Sequence, residues 1–331
     1  MKRLIEQIQR QSILLAVIMI GVLMACKPRE EEKGMKVEEP YGLVTVSVCN
    51  MRQSPAHNTE LISQAVMGTP VKILRLQPGW YYIQTPESYE GWVDSQAIKT
   101  LGPEETEAWK RSDRLIYMNK YGDIYADTTT MLPVADIVAG SIVELSEVIN
   151  DYCRIILPDG REGYISRNEA VKFDEWLENI HPDEQNLRRW AESFTGLPYL
   201  WGGTSPKAFD CSGFVKTVYY LNGVILERDA SQQFAHGIKL SIEAYPDSLR
   251  IGDLLFFGYV RDGSPRPTHV GMYIGATEFI HASGMVKINS LDSSRSNFSR
   301  GRRNAFLGVR RIIGTDPGEG LQAVSSHPWY N

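Results

Sequence analysis

Two short segments that share one pattern constrain the fold of the first half of the chain. Glu90-Gly-Trp-Val-Asp94 and Glu162-Gly-Tyr-Ile-Ser166 place glycine, an aromatic residue and an apolar residue in the same order, each after a run typical of a β-hairpin. The predicted strands around them are Leu43–Val48, Val71–Leu76, Trp80–Thr85, Gly91–Val93, Ile142–Val148, Tyr152–Leu157 and Gly163–Ile165. The repeat therefore predicts two copies of one small all-β domain, at residues 41–100 and 112–172.

The chain after a linker and helix at residues 172–192 contains a cysteine where an apolar helix is predicted to begin. Apolar residues follow Cys211 at helical spacing, at Phe214, Val215, Val218 and Leu221. Asp210 is suited to cap this helix, which places Cys211 in the first turn. The unpaired amides and the helix dipole there favour a thiolate. The pattern predicts a nucleophile; a buried, inert cysteine is the alternative.

Two histidines further along the chain fall in short apolar runs that are typical of strands. His269 opens His269-Val-Gly-Met-Tyr-Ile-Gly275, and His281 lies in Phe279-Ile-His-Ala-Ser-Gly284. If these runs pair as a hairpin centred on Gly275, the histidines lie directly opposite each other and their side chains share one face. We therefore predict a base and its orienting partner. Two unrelated strand histidines are the alternative.

These segments together resemble the NlpC-type papain-like cysteine peptidases of bacterial cell walls. The matching segments are Leu197-Pro-Tyr-Leu-Trp-Gly-Gly203, Phe209-Asp-Cys-Ser-Gly-Phe-Val215, His269-Val-Gly-Met-Tyr-Ile-Gly275 and Phe279-Ile-His-Ala282. The resemblance spans residues 180–313 and implies an α+β domain. It also implies that Cys211 is the nucleophile, His269 its base and His281 the residue that orients the base.

The two repeated segments resemble bacterial SH3 domains, the second being more diverged. The expected fold is therefore multidomain, with two SH3-like barrels followed by the peptidase domain. In one subfamily, the γ-D-glutamyl-L-diamino acid endopeptidases, the first barrel completes the active-site cleft. The chain resembles that subfamily in four segments: Asn50-Met-Arg-Gln-Ser-Pro55, Glu60 before Ser63-Gln-Ala65, Tyr89-Glu-Gly-Trp92 and Arg228-Asp-Ala-Ser-Gln-Gln233. The resemblance implies that Glu60, Tyr89 and Asp229 hold the free amine of a terminal L-Ala.

Each of these three residues also has a simpler interpretation. Glu60 could be a solvated loop residue and Tyr89 a surface tyrosine in a turn, while Asp229 could cap a helix together with Gln233. Capping and ligand binding are compatible, since one carboxylate can do both. The binding interpretation is chemically sound, because an ammonium group needs anionic and phenolic acceptors.

Four further residues next to Cys211 are expected to line the same cleft: Tyr199, Trp201, Asp210 and Ser212. The resemblance implies that Tyr199 helps to stabilise the oxyanion together with the backbone amide of the nucleophile. Trp201 could equally be a core residue, since tryptophan is often buried.

The N-terminus has the pattern of an export signal. Lys2, Arg3 and Arg10 precede an apolar run from Ile13 to Leu23 that is too short to span a bilayer comfortably. The run ends in Leu23-Met-Ala-Cys26, which resembles a lipoprotein signal; the alternative is a secretion signal with an accidental cysteine. We expect residues 1–25 to be a signal peptide, Cys26 to be lipidated, and 26–40 to be a tether to a bacterial membrane, facing the periplasm.

Composition excludes some partners. The formal charge of −5 becomes −7 once residues 1–25, with three basic residues and one acidic residue, are removed, so neither nucleic acid nor anionic lipid headgroups are expected partners. Cys49 and Cys153 are expected to be separately buried thiols rather than a disulfide. The cysteine and histidine spacing suggests no metal site, and no cofactor is expected. The tail, 314–331, is polar and rich in glycine and proline, which predicts a mobile segment.

The expected function is hydrolysis of the γ-D-glutamyl–diamino acid bond of murein peptides with a free N-terminal L-Ala, a murein tripeptide or a longer stem peptide being the substrate. A first alternative is an endopeptidase that acts on intact peptidoglycan, where a sugar blocks the amine. Glu60 and Asp229 disfavour that alternative. A second alternative is a non-catalytic wall-binding lipoprotein, which the set of Cys211, His269 and His281 disfavours.

Overall fold

The computed structural model describes residues 41–241, 246–316, 318 and 320–331. Its first seven strands form one antiparallel sheet, in the order β3-β2-β6-β5-β4-β1-β7. They are β1 (Tyr41–Val44), β2 (Val48–Arg52), β3 (Leu61–Val66), β4 (Pro70–Gln77), β5 (Trp80–Gln84), β6 (Glu90–Asp94) and β7 (Ile98–Leu101). Alternating apolar residues such as Met51, Ile73, Ile83 and Val93 are buried on the inner face. This sheet is the first barrel.

The next seven strands repeat this arrangement, in the order β10-β9-β13-β12-β11-β8-β14. They are β8 (Arg114–Tyr117), β9 (Tyr121–Tyr125), β10 (Pro133–Val138), β11 (Ile142–Ile149), β12 (Tyr152–Ile156), β13 (Glu162–Ser166) and β14 (Ala170–Lys172). Each strand takes the position of the strand seven places before it, so the two matching segments, β6 and β13, occupy equivalent positions. The predicted internal repeat is therefore confirmed, and this sheet is the second barrel.

Three helices connect the barrels to the rest of the chain: α1 (Pro103–Arg111), α2 (Phe173–Asn179) and α3 (Glu184–Ser193). Helix α1 joins the two barrels, while α2 and α3 follow the second barrel. Asp183 caps α3 by accepting hydrogen bonds from the backbone N–H groups of Gln185 and Asn186. The predicted linker and helix at residues 172–192 are thus two helices.

The remaining elements form an α+β domain around an antiparallel sheet of six strands, in the order β18-β23-β19-β20-β21-β22. In chain order the elements are β15 (Thr204–Ser205), β16 (Ala208–Phe209), α4 (Cys211–Tyr220), β17 (Val224–Leu226), α5 (Ala230–Gln233), β18 (Ile238–Leu240), β19 (Leu254–Arg261), β20 (Ser264–Gly275), β21 (Glu278–Ser283), β22 (Met285–Ser290), α6 (Arg300–Asn304), β23 (Phe306–Arg311) and β24 (Leu321–Ala323). Helix α4 packs on one face of the sheet, where Phe214, Val218, Val270 and Ile280 share one core.

The prediction of a mobile tail is wrong for the described part of residues 314–331. Strand β24 pairs with β17, and the side chain of Tyr330 is only 2% exposed. Tyr330 packs against Phe173, and its carbonyl oxygen accepts a hydrogen bond from the Arg114 side chain. Leu321, Val324 and Tyr330 of the tail are buried, and their burial outweighs the polar composition on which the prediction rested.

Strand β3 lies against the peptidase domain and helps to join the first barrel to it. Gln64 accepts hydrogen bonds from the Thr204 backbone N–H at 3.0 Å and from the Ser205 hydroxyl at 3.1 Å. Gly202 packs so closely on β3 that a Cβ atom there would lie 2.4 Å from the carbonyl oxygen of Leu61. The described residues thus all belong to one compact unit. Residues 41–241, 246–316, 318 and 320–331 contain no helix long and apolar enough to cross a membrane.

Of the cysteines other than Cys211, two lie among the described residues and Cys26 does not. Cys49 and Cys153 are free and buried in the cores of different barrels, as predicted. The predicted signal peptide, the lipidated Cys26 and the tether all lie outside the described residues.

Candidate active site

Cys211 is the first residue of α4, as the apolar spacing predicted. Phe214, Val215, Val218 and Leu221 are fully buried, and the Asp210 carboxylate accepts a hydrogen bond from the Gly213 backbone N–H at 2.7 Å. The thiol is therefore held at a capped helix N-terminus.

Asp210 is bound on both oxygens within the protein. Its carboxylate forms an ion pair with Arg228, which is 2% exposed, and accepts a hydrogen bond from the Gly202 backbone N–H at 3.0 Å. Arg228 also donates to the hydroxyls of Ser212 at 3.0 Å and of Ser63, on β3, at 3.1 Å. The polar atoms of Asp210 and Ser212 are therefore bonded to protein groups, and this network anchors the first barrel beside the cysteine.

The two histidines form a hydrogen-bonded chain with an asparagine on β22. His269 Nε2 lies 2.7 Å from His281 Nδ1, and His281 Nε2 lies 2.9 Å from Asn289 Oδ1. The Asn289 amide donates to the carbonyl oxygen of Asn297 at 2.9 Å, which turns its oxygen towards His281. His281 therefore donates from Nε2 and accepts at Nδ1 the proton of His269 Nε2. Nδ1 of His269 is left with a lone pair.

The hairpin that carries the histidines has a different register from the predicted one. Its turn is Ala276-Thr277, both at positive φ, and a bulge separates Tyr273 from Gly275. A Cβ atom on Gly271 would lie 3.1 Å from the Cβ of His281, so His281 neighbours Gly271 rather than His269. The prediction that the histidines lie directly opposite each other is wrong. Because His269 and Gly271 share a face, the imidazoles still meet diagonally.

Burial keeps this chain of imidazoles neutral. Burial, together with Arg302, His281 and Lys287, holds the pKa of His269 well below its ordinary value of 6.5. Burial, with Arg302 and Lys287 nearby, lowers the pKa of His281 to about 4, although its bond to Asn289 opposes the shift. Both rings are therefore unprotonated at neutral pH.

The predicted thiolate is not the resting form of Cys211. Burial, and then the nearby Asp210 carboxylate, raise the pKa of the Cys211 thiol above its ordinary value of 9.0. The backbone N–H groups of Val270, on β20, and of Ser212, in the first turn of α4, oppose this shift, but they do not outweigh burial. The resting pair is a neutral thiol and a neutral imidazole.

A cavity of about 440 Å³ opens beside Cys211, a size suited to a small peptide. All of the predicted substrate-binding residues line it: Glu60, Tyr89, Tyr199, Trp201, Asp210, Ser212 and Asp229. Glu60 and Tyr89 come from the first barrel, and no residue of the second barrel is among those that line it. The cavity therefore lies between the first barrel and the peptidase domain.

Tyr89 and Asp229 form a polar pair in this cavity. Burial and the neighbouring Asp229 raise the pKa of Tyr89 to about 12, so its hydroxyl stays protonated and donates to the carboxylate. Burial raises the pKa of Asp229 although Arg228 and Tyr89 oppose the shift. The Asp229 carboxylate is therefore incompletely compensated and would gain from a cation. Asp229 is also the N-cap residue of α5, where its backbone N–H donates to the side chain of Gln232 rather than of the predicted Gln233.

Glu60 and Trp201 meet at the exposed rim of the cavity. The indole N–H of Trp201 donates to the Glu60 carboxylate at 2.7 Å, and Trp201 is 62% exposed, so it is not a core residue. Tyr199 lies deeper, where burial and the nearby Cys211 raise its pKa to about 12. Its phenol is therefore a hydrogen-bond donor beside the thiol.

Three residues of the site were not predicted: Arg228, Asn289 and Arg302. Arg228 lies in a segment already singled out, but its pairing with Asp210 depends on the fold. Asn289 lies eight residues after His281 in a short strand with no distinctive motif, so no sequence pattern points to it. Among the described residues no cluster of three or more histidine, cysteine or acidic side chains is arranged to hold a metal ion.

Comparisons with known proteins agree with this architecture. The model of the NlpC/P60 family matches residues 196–301, and that of the bacterial SH3 domain matches residues 47–99. Dipeptidyl-peptidase 6 of Lysinibacillus sphaericus is 30% identical over 260 residues, which cover 76% of this chain and 91% of that protein. The gamma-D-glutamyl-L-lysine dipeptidyl-peptidase of Bacillus cereus is 28% identical over 274 residues, which cover 77% of this chain and 76% of that protein.

Solved structures share the fold. An NlpC/P60 family protein from Bacillus cereus superposes with a TM-score of 0.71 at 22% identity, covering 82% of this chain and 99% of that one. An NlpC/P60 endopeptidase from Photobacterium damselae superposes with a TM-score of 0.60 at 16% identity, covering 88% of this chain and 74% of that one. At these identities the likeness establishes the arrangement of the barrels and the peptidase domain alone.

Proposed function

Because this chain belongs to the NlpC/P60 family of cysteine peptidases, which hydrolyse peptidoglycan peptides, we propose that its substrate is a murein peptide with a free N-terminal L-Ala. The bond cleaved is the γ-D-glutamyl–diamino acid bond. The observation that carries this proposal is the single cavity that contains Cys211 together with Glu60, Tyr89 and Asp229. The names of the relatives, dipeptidyl-peptidases for γ-D-glutamyl-L-lysine bonds, support the same bond.

The hydrogen-bonded chain of His269, His281 and Asn289 supports the proposed catalytic roles. Nδ1 of His269 accepts the Cys211 proton as the sulfur attacks the γ-carbonyl carbon. When the C–N bond breaks, the imidazolium returns that proton to the departing amine, leaving a thioester. Water then attacks the thioester carbon, giving its proton to His269, and the sulfur leaves as the thiol regains a proton. His281, held by Asn289, keeps His269 in the tautomer that this sequence needs.

The negative charge on the substrate oxygen during attack needs donors beside the sulfur. Tyr199 is protonated and lies next to Cys211, and the first backbone amides of α4 have no partner within the helix. These groups fit an oxyanion site. The proposal thus assigns Tyr199 to stabilisation of the intermediate rather than to proton transfer.

The end of the cavity away from Cys211 is suited to recognise the free N-terminal amine of the peptide. A substrate ammonium between Glu60, the Tyr89 hydroxyl and Asp229 would compensate a carboxylate that burial leaves short of partners. An amine carrying a sugar or an acetyl group has no positive charge to compensate the half-buried Asp229 carboxylate, so the site should reject it. This argues against the alternative of an endopeptidase for intact peptidoglycan.

The test is incubation of the enzyme with L-Ala-γ-D-Glu-diamino acid peptides and with their N-acetylated counterparts, followed by mass spectrometry. We expect release of L-Ala-D-Glu from the free peptide alone, and no release by Cys211→Ala. Equal hydrolysis of both peptides would contradict the proposal and favour the intact-wall enzyme. Equal activity of the wild type and Cys211→Ala would contradict the mechanism.

We also propose that the protein is exported and anchored to a bacterial membrane through lipid on Cys26, facing the periplasm. The support is the basic N-terminus, the apolar run and Leu23-Met-Ala-Cys26 in the sequence. Cys26→Ser should release the protein from the membrane fraction or block its processing. Wild-type protein recovered as a soluble, unlipidated species would contradict the anchor.

A further inference from the structure

Arg302, on α6, is a half-buried cation whose contacts, among the residues that the structure describes, are with a hydroxyl and an aromatic ring rather than with an acidic side chain. Its Nη2 donates to the Ser283 hydroxyl at 3.3 Å, and its guanidinium lies over the Phe257 ring at 5.7 Å. Burial lowers the pKa of Arg302, which shows that its charge is incompletely solvated. A guanidinium in such a place has most of its donors available for a ligand.

Arg302 lies beside the catalytic chain. Phe257, over which it packs, pairs directly with His269 across β19 and β20, and the two rings are 5.8 Å apart. After burial, the charge of Arg302 contributes to the lowered pKa of His269 and of His281. Burial lowers the pKa of Arg302 itself, and the nearby Cys211 and Tyr199 oppose that shift. The guanidinium is therefore near the place where the scissile bond must lie.

The cavity that would hold L-Ala-D-Glu does not include Arg302. Its lining comes from the first barrel, the loop before α4, the start of α4, the segment around α5 and the first part of β20, up to Thr268. Neither α6 nor the turn between β21 and β22 contributes to it. The residue that leaves after cleavage is expected on the other side of the sulfur from this cavity, where Arg302 lies near Cys211 and Tyr199.

We propose that Arg302 binds the carboxylate of the leaving diamino acid, an inference that rests on the proposed function. In a tripeptide this carboxylate is attached to the carbon that carries the departing nitrogen, so it stays close to the reacting atoms. A planar guanidinium matches a carboxylate with two parallel hydrogen bonds. The enzyme would then prefer peptides that end at the diamino acid over peptides in which that carboxyl group is an amide.

Binding at Arg302 has a second consequence for the base. Arg302 depresses the pKa of His269 in the free enzyme. A carboxylate on Arg302 compensates that charge, so the imidazole becomes more basic when a substrate with a free carboxylate is bound. The preference should therefore be visible in kcat as well as in KM.

The experiment measures kcat/KM for L-Ala-γ-D-Glu-L-Lys and for its C-terminal carboxamide. We expect the wild type to prefer the free carboxylate by about tenfold or more, because the amide loses the charge-assisted pair. Arg302→Met should reduce this preference to nearly one, and Arg302→Lys should keep part of it. Arg303→Met, which removes an exposed charge from the same helix, should retain the full preference.

The outcomes separate this inference from the proposed function. Wild-type enzyme that cleaves both peptides equally contradicts a carboxylate site at Arg302 while leaving the proposed function intact. Loss of activity in Arg302→Met with the preference unchanged also contradicts it, because a merely structural role would lower both rates in proportion. Failure of the wild type to cleave either peptide overturns the proposed function and this inference together. If Arg302→Met fails to fold, the wild-type ratio and Arg302→Lys still decide the matter.

Discussion

The Nε2 atom of His269 lies 2.7 Å from Nδ1 of His281, and the second nitrogen of His281 is held by Asn289. The direction of these bonds determines which nitrogen of His269 carries the proton. Because the Asn289 amide is itself oriented by Asn297, the tautomer of the base depends on a residue that touches neither the sulfur nor the substrate. Asn289 is therefore a positioning residue.

Asn289→Ala should lower kcat by roughly ten- to a hundredfold, because His281 loses the acceptor that fixes its tautomer. KM should change little, since the cavity is not lined by Asn289. Steady-state kinetics with the free tripeptide measures both quantities. Asn119→Ala, at an exposed position of the second barrel, is the matched control. A change in KM with kcat preserved would contradict a positioning role.

The acid limb of the pH–rate profile should respond to Lys287, which pairs with His281 across β21 and β22. A cation near an imidazole disfavours its protonation, and Lys287 is one of the groups that lower the pKa of His269. In the wild type kcat/KM should therefore fall only below pH 6.5, where His269 becomes protonated. Lys287→Met should raise the pKa of His269 and shift this limb to higher pH. If the acid limb of Lys287→Met stays at the same pH or moves to lower pH, the assignment of His269 as the base is contradicted.

The thiol should react as a buried, neutral group. Because burial raises the pKa of Cys211 above 9.0, its rate of alkylation by iodoacetamide should keep rising through pH 9. Mass spectrometry of the Cys211 peptide after timed labelling gives this rate at each pH. A plateau reached by pH 7 would show a resting thiolate and would contradict the neutral pair.

Docking of the first barrel should depend on Gly202. Its φ of +81° strains any other residue, and a Cβ atom would lie 2.4 Å from the Leu61 carbonyl oxygen. Gly202→Ala should lower kcat/KM by about tenfold or more and reduce Tm by several degrees, as about 1 kcal/mol or more of stability is lost. Gly79→Ala, with a φ of +78° and no atom within 4 Å of the added Cβ, carries the strain without the collision. Equal effects of the two variants on kcat/KM would show that the barrel contact is not required.

The sequence predicted the parts of the site that local patterns determine. Cys211 at the start of a capped helix, and the two imidazoles on one face, follow from apolar spacing and strand alternation. The register of the hairpin did not follow, because the bulge at residues 273–275 and the Ala276-Thr277 turn lack a typical turn sequence.

Features that depend on distant contacts were not predictable from local patterns. Strand β3 escaped prediction because Ser63 and Gln64 are polar yet buried, since their partners Arg228, Thr204 and Ser205 lie far along the chain. The pKa of Cys211 also depends on contacts with distant parts of the chain. The helix N-terminus favours the thiolate, as predicted, but the burial that outweighs it comes from elements that pack on α4 only in the folded protein.

Of the two carboxylates assigned to the substrate amine, Asp229 should contribute more. It is half-buried and its pKa is raised, whereas Glu60 is exposed and its interaction is screened by solvent. Asp229→Asn should therefore lower kcat/KM for the free tripeptide, with a loss of transition-state stabilisation of roughly 2 kcal/mol, the low end of the cost of truncating one partner of a buried charged pair, because Asp229 is only half-buried. Glu60→Gln should have a smaller effect in the same direction.

The most direct test of the account is the ratio of kcat/KM for free and N-acetylated L-Ala-γ-D-Glu-L-Lys, measured in the wild type and in Asp229→Asn. The account predicts a large ratio in the wild type, because the acetylated peptide brings no cation to the Asp229 carboxylate, and a markedly smaller ratio in the variant. A wild-type ratio near one, or a large ratio that Asp229→Asn leaves unchanged, would contradict the claim that this cavity recognises a free amine.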